Sequence, residues 1–372
     1  MKIGILCSGV ALGVYIPAIY AYRDLKKRSN VSPEVFVLEN LIFDDKKDKI
    51  KENKIAFHRN FSVARMGQRM AGDILPSVDP DKLAEIFETW INKEIHHFIV
   101  VSGFWVSVLE VFKNRYPSWD FSAECLHIDC VVSASWKKVN YSAPYYHSSW
   151  LVSHSGNKVV SELNMTELEP VPFDKRQKRF LAHGGGWGMG TYQSKIPELK
   201  KAGFALDIVA YEKDEIPAET GDDRYFMVNP HWSPWHRNAD GEHTFPPIAQ
   251  IVPGEEPVYR YKEAHHELLD VTREVIGVIS KPGGATLLDS LAAATPLILL
   301  DNFGDYEAKN AELWISLGFG IYYEDWKKEG FSFDILKKMN ENLMSARGKQ
   351  PYFIDDYLKR IGGVILCSQE PR

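Results

Sequence analysis

The chain has 372 residues, 45% of them hydrophobic, and a formal net charge of −6 at pH 7. That length suits two domains, and that apolar content can fill two cores. The negative balance argues against a general nucleic-acid binder and weakly against broad attachment to anionic membranes.

Cys7, Cys125, Cys130 and Cys367 form no C-x-x-C pair and no zinc-type spacing, so reduced thiols in a cytoplasmic protein are expected. No apolar run reaches membrane-spanning length. Arg59, Arg65 and Arg69 lie close enough for a local basic patch, which leaves peripheral membrane contact open.

In chain order, residues 2–7 read as a strand, 8–13 as a glycine-containing turn and 16–27 as a helix. Strands follow at 35–38 and 55–58, then a helix at 82–93, a strand at 98–102, a helix at 106–116 and a strand at 125–133. Such alternation implies a parallel sheet covered on both faces, with ligands at the carboxyl ends of its strands. Residues 163–178, rich in Glu, Pro, Lys and Arg, read as a linker. A second unit opens with a strand at 179–182 and the run His183-Gly184-Gly185-Gly186-Trp187-Gly188-Met189-Gly190. Five glycines there are costly in conformational entropy, which is reasonable where backbone must approach a ligand. A helix at 196–202 and a strand at 206–211 come next, and 229–247 reads as a long loop.

The sharpest signal lies further on. An apolar run at 275–279 leads into Ser280-Lys281-Pro282-Gly283-Gly284-Ala285-Thr286, and a helical pattern starts near Leu287. The unpaired N–H groups of such a helix start attract phosphate or diphosphate. Asp289, one turn in, could accept hydrogen bonds from ribose hydroxyls. Pro296 and Glu307-Ala308-Lys309-Asn310-Ala311 follow.

Lys281-Pro282-Gly283-Gly284-Ala285-Thr286-Leu287-Leu288-Asp289, with Pro296 and the Glu307 to Ala311 segment, resembles the donor-site signature of GT-B glycosyltransferases. Diacylglycerol glucosyltransferases and the cell-wall lipid-intermediate N-acetylglucosaminyltransferase are similar in pattern. The resemblance implies an α/β chain of two Rossmann-like domains facing across a cleft. Residues 1–168 would form the acceptor side and 179–349 the nucleotide-sugar side, with 350–372 a helix or tail crossing back. It also implies transfer from a UDP- or TDP-type sugar to a small-molecule, glycan or lipid acceptor, with inversion and without a metal or other cofactor. Gly283, Gly284, Ala285 and Thr286 would hold the diphosphate, and Gly186, Gly188, Met189 and Gly190 would face it. Asp289, where the family has Glu, would take the ribose, and Glu307 the donor sugar.

The acceptor side departs from the family. Many relatives carry Gly-His-x-x-Pro in the first loop, with the His as base; here the stretch is Gly13-Val14-Tyr15-Ile16-Pro17. A hydroxyl acceptor then takes a base from another loop, or is nucleophilic enough to need little activation. The candidates are His58, after the expected third strand, and Asp129, in the expected strand at 125–133. A non-catalytic nucleotide-sugar-binding relative and a sugar-nucleotide epimerase stay open as alternatives. Two aromatic groups, Phe104 to Trp150 and Trp232 with Trp235, are candidates for an acceptor pocket.

Overall fold

The computed structural model describes residues 1–368 except Ala11 and Ala71, without the side chains of 68–70 and 363–368. Arg69 and Cys367, and the last four residues of the expected tail, therefore fall outside the described groups.

The first sheet holds β1 (Lys2–Cys7), β2 (Ser32–Val37), β3 (His97–Val100), β4 (Ser122–His127) and β5 (Tyr146–Trp150). Its order is β2-β1-β3-β4-β5, all parallel. Helices α1 (Leu12–Lys26), α2 (Asp44–Arg59), α3 (Phe61–Met70), α4 (Pro80–Asn92) and α5 (Phe104–Arg115) surround it. Beyond it lies a short hairpin, β6 (Val152–Ser153) and β7 (Lys158–Val159).

Both sheet faces are filled. One carries Trp90, fully buried among Phe36, Phe87, Phe98, Trp105 and Phe112. Burying one such side chain stabilises by about 1.5–3 kcal/mol or more. Local grammar also holds: α4 begins with Pro80 behind Asp79, whose carboxylate accepts from the Asp81 N–H at 3.0 Å.

The second sheet runs β11-β10-β9-β8-β12-β13-β14. Its strands are β8 (Gln177–Ala182), β9 (Ala205–Ala210), β10 (Arg224–Val228), β11 (Ile248–Ile251), β12 (Val275–Ser280), β13 (Leu297–Leu299) and β14 (Gly320–Tyr322). All pair in parallel except β11, an antiparallel edge on β10. Its helices are α6 (Tyr192–Lys201), α7 (Glu267–Glu274), α8 (Gly284–Ala293), α9 (Asp305–Ser316), α10 (Tyr323–Lys328) and α11 (Phe333–Ala346). The C-terminal α12 (Phe353–Ser368) lays Phe353, Ile354, Tyr357 and Ile361 into the core around β1 and α1. Arg360 reaches Glu124 of β4 at 2.9 Å.

The expected third strand at 55–58 is instead the end of α2. Its four residues look extended alone, but they continue eleven mostly charged residues opened by Asp44 and Asp45, and the helix propagates through them. The strand expected at 125–133 ends at His127, so Asp129 lies past its carboxyl end. Helix α1 begins at Leu12 and contains Pro17, which places Val14 in its first turn rather than in a loop. The segment at 229–247 is ordered: Asn238 Oδ1 accepts from Asp240 and Glu242, and Tyr15 donates to the Thr244 carbonyl at 2.8 Å.

Candidate donor site and interdomain cleft

Strand β12 is buried along its whole length and delivers the chain to the N-terminus of α8. Gly283 is the cap residue, and no side chain caps the helix among the described residues. The far end of α8 is fixed by Arg176. Its guanidinium donates to the carbonyls of Ala293 at 2.8 Å and Ala294 at 3.2 Å, and to those of Val171 and Val275. Burial pulls Arg176 down to about 10, so it stays charged against the negative end of the helix.

The start of α8 meets the other domain closely. A Cβ on Gly284 would lie 2.9 Å from both Asp129 Oδ1 and the Ile128 carbonyl, so only glycine fits. Asn310 ties this junction together. Its amide donates to Asp129 Oδ1 at 2.8 Å and to the Pro282 carbonyl at 3.0 Å, and its oxygen accepts from the Cys130 N–H at 2.9 Å. Burial pushes Asp129 up to about 6; the Glu307 charge also raises it, while the Asn310 hydrogen bond opposes. Asp129 as a whole residue is partly buried, and Ser133 also hydrogen-bonds its carboxylate.

The remaining expected donor residues are held as follows. Asp289 Oδ1 pairs with His266 Nε2 at 2.9 Å, and the Asp289 side chain keeps 17% exposure. His266 thus orients the Asp289 carboxylate. Glu307 is 2% exposed, with one oxygen on Lys281 Nζ at 2.5 Å and the other accepting from the Phe303 N–H at 2.6 Å. With that burial the carboxylate presents little surface to a sugar hydroxyl. Ala285 and Thr286 form the first turn of α8.

The run after β8 makes a tight turn with positive φ at Gly185 (71°), Gly188 (60°) and Gly190 (137°). Met189 lies between the last two, partly buried. Gly186 is exposed, and a Cβ there would strike Leu12 of α1 at 2.4 Å. His183 sits beneath the turn, accepting from the Gly185 N–H at 3.1 Å; burial lowers it to about 4, so it is neutral.

His58 is engaged across the interface rather than free. Its Nδ1 lies 2.8 Å from the Gly188 carbonyl and its Nε2 contacts Glu215. Burial alone would lower it, but the Glu215 hydrogen bond and charge and the Gly188 carbonyl outweigh that and raise it. The neighbouring Arg59 pairs with Glu212 at 3.0 Å. The end of α2 therefore clasps the glycine turn.

A cleft of about 980 Å³ opens beside that turn, at the carboxyl ends of β9 and β10. Trp232, Trp235, Tyr211, Tyr259 and Lys54 line it. Trp232 and Trp235, foreseen as candidates, do face it. The other aromatic group does not: Trp105, Trp136 and Tyr146 are buried in the first domain, with Phe104, Tyr141 and Tyr145 packed against that core. Trp150 stacks on His127 with ring centres 4.0 Å apart.

Sequence reasoning missed Glu39. It is fully buried and accepts from Ser8 Oγ at 2.6 Å, Gly9 N–H at 2.6 Å and Val10 N–H at 3.1 Å. A lone acid among apolar residues directly after β2 was the available signal.

No protein-family model and no curated protein sequence matches the chain. Solved structures do. The glycosyltransferase VinC in complex with dTDP aligns over 97% of this chain and 99% of its own, at 10% identity and a TM-score of 0.55. The Streptomyces sp. SF2575 glycosyltransferase SsfS6, complexed with thymidine diphosphate, aligns over 98% and 99% at 10% identity and a TM-score of 0.53. SnogD, a glycosyltransferase from Streptomyces nogalater, aligns over 97% and 99% at 11% identity and a TM-score of 0.51. With two Rossmann-like sheets meeting at a cleft, and this likeness along nearly its whole length, the chain has the GT-B fold of glycosyltransferases.

Proposed function

We propose that the chain is a glycosyltransferase that moves a sugar from a thymidine or uridine diphosphate donor to a hydroxyl acceptor, with inversion. One observation carries this reading: the uncapped N-terminus of α8 faces a carboxylate, Asp129, from the opposite domain. The thymidine diphosphate bound to VinC and SsfS6 favours the thymidine donor.

In this reading the departing diphosphate lies on the N–H groups of Gly284, Ala285 and Thr286, with the glycine turn at 184–190 beside it. Negative charge builds there in the transition state, and donors already oriented by α8 stabilise it without reorganisation. Asp289, oriented by His266, keeps one oxygen for the ribose. Asp129, not His58, is the base: it is ionised above about 6 and comes from the domain opposite α8. Glu307 fixes Lys281 rather than holding sugar.

The test follows hydrolysis of a thymidine diphosphate sugar, with water standing in for the acceptor, against pH. Wild type loses rate below about pH 6. Asp129→Asn loses that limb and about 100-fold or more in rate. An unchanged rate in Asp129→Asn would remove the base assignment. Tight thymidine diphosphate binding with no turnover by wild type, with water or any hydroxyl acceptor, would favour a non-catalytic nucleotide-sugar binder, the reading that Val14 leaves open.

A further inference from the structure

Several cationic side chains at or near the interdomain boundary have acidic partners. Arg23 pairs with Glu263, Lys26 with Glu242, Arg59 with Glu212 and Lys281 with Glu307. Lys54 does not. It projects from α2 into the cleft, partly buried, its ammonium 5.3 Å from the Trp187 ring centre and 5.4 Å from that of Trp235. Among the described residues no hydrogen bond or ion pair joins it. The acid whose charge reaches it is Glu39, and that carboxylate is already committed to Ser8, Gly9 and Val10.

An ammonium has three donors, all of which favour an oxygen acceptor. Two indole faces offset part of its lost hydration but leave those donors unused. The desolvation is real: burial lowers Lys54 to about 8, so it is charged at neutral pH with little water to compensate.

The rest of the cleft limits what can answer that charge. Its walls are aromatic and proline-rich, with Trp232, Tyr211, Tyr259 and Pro253 among them. Its formal charges balance: Lys51, Lys54 and Lys213 against Glu212, Glu255 and Glu256. A balanced wall does not favour a polyanion, and a diphosphate has its own place at α8. Lys51 and Lys213 are exposed, whereas Lys54 is a partly buried ammonium with no guanidinium fork beside it, which suits one carboxylate on an otherwise apolar, flat body.

We propose that the acceptor is an aromatic, hydroxyl-bearing carboxylic acid whose carboxylate pairs with Lys54 in the cleft. The proposal rests on the transferase reading above and names its acceptor class. Lys54 is then a specificity residue, not a base.

The experiment measures binding of para-hydroxybenzoate and its neutral amide to the full chain by calorimetry, with tryptophan fluorescence as a second readout. Wild type, Lys54→Met and Lys54→Arg are compared, and thymidine diphosphate is titrated in parallel. Wild type should prefer the acid by about tenfold. Lys54→Met should erase the preference, Lys54→Arg should restore part of it, and thymidine diphosphate affinity should not change. Equal binding of acid and amide by wild type, or no acid binding at millimolar concentration, overturns the proposal. Lost thymidine diphosphate affinity in Lys54→Met also overturns it, because the ammonium then serves the donor diphosphate. If wild type keeps a Lys54-dependent acid preference but binds no nucleotide, the transferase reading fails and the anion site stands.

Discussion

Two strand–turn–helix units of this chain share one sequence pattern and end in opposite states. In both β1–α1 and β12–α8 an apolar strand runs into a glycine-bearing turn and a helix. In the first, Glu39 fills the turn, and a Cβ on Gly9 would come within 2.6 Å of Pro234 from the other domain. In the second, no side chain caps α8, and Asp129 stands beside the turn while its oxygen is held by Asn310. The pattern makes an anion-accepting turn in either case. What decides whether a ligand can use it is whether the fold supplies its own carboxylate.

Substitutions at the two turns should separate their roles. The largest effect is expected at the open turn. Gly284→Val forces a side chain into Asp129 and the Ile128 carbonyl. Donor turnover should fall by about 100-fold or more while circular dichroism stays native. At the filled turn the loss should be stability instead. Glu39→Gln weakens charge-assisted bonds to buried N–H groups, so urea unfolding should report a cost of about 1.5–3 kcal/mol, with nucleotide affinity unchanged. If Glu39→Gln instead gained or lost nucleotide binding, the two turns would not be functionally distinct.

Asp289→Ala leaves both turns intact and removes the proposed ribose contact. Calorimetry should record about a tenfold weaker thymidine diphosphate complex. The smallest effect concerns the clasp. His58 is raised from 6.5 and Glu215 lowered from 4.5 in the folded protein. The Glu215 contribution is present above 4.5 and fades as pH falls through its lowered value. The His58 contribution is present below 6.5 and fades as pH rises through its raised value. His58→Gln should therefore cost about 1 kcal/mol or less near pH 5 to 6, and less still at pH 9. A cost that grew with pH would contradict the pairing.

The strand–turn–helix of β12 and α8 was legible in the sequence because everything it needs is local: an apolar strand at Val275–Ser280, Gly283 as cap and a helix from Gly284. The rest was carried by contacts between distant segments. His58 looked like a strand end because its apolar neighbours were read without the charged helix that precedes them. Lys54 is one of five lysines in α2, and only Trp187 and Trp235, more than a hundred residues away, set it apart. His266 gains its role from Asp289, 23 positions on. The aromatic group between Phe104 and Trp150 suggested a pocket, but composition alone does not separate a pocket from a core, and most of it is core.

In the proposed function, nucleotide diphosphate settles on α8 and not on the β1–α1 turn. Residue-resolved amide hydrogen exchange with and without thymidine diphosphate tests it most directly. Added protection at Gly284, Ala285 and Thr286, with Gly9 and Val10 unchanged, is the predicted result. Protection gained at Gly9 and Val10, or at neither turn in a sample saturated with nucleotide, would contradict it.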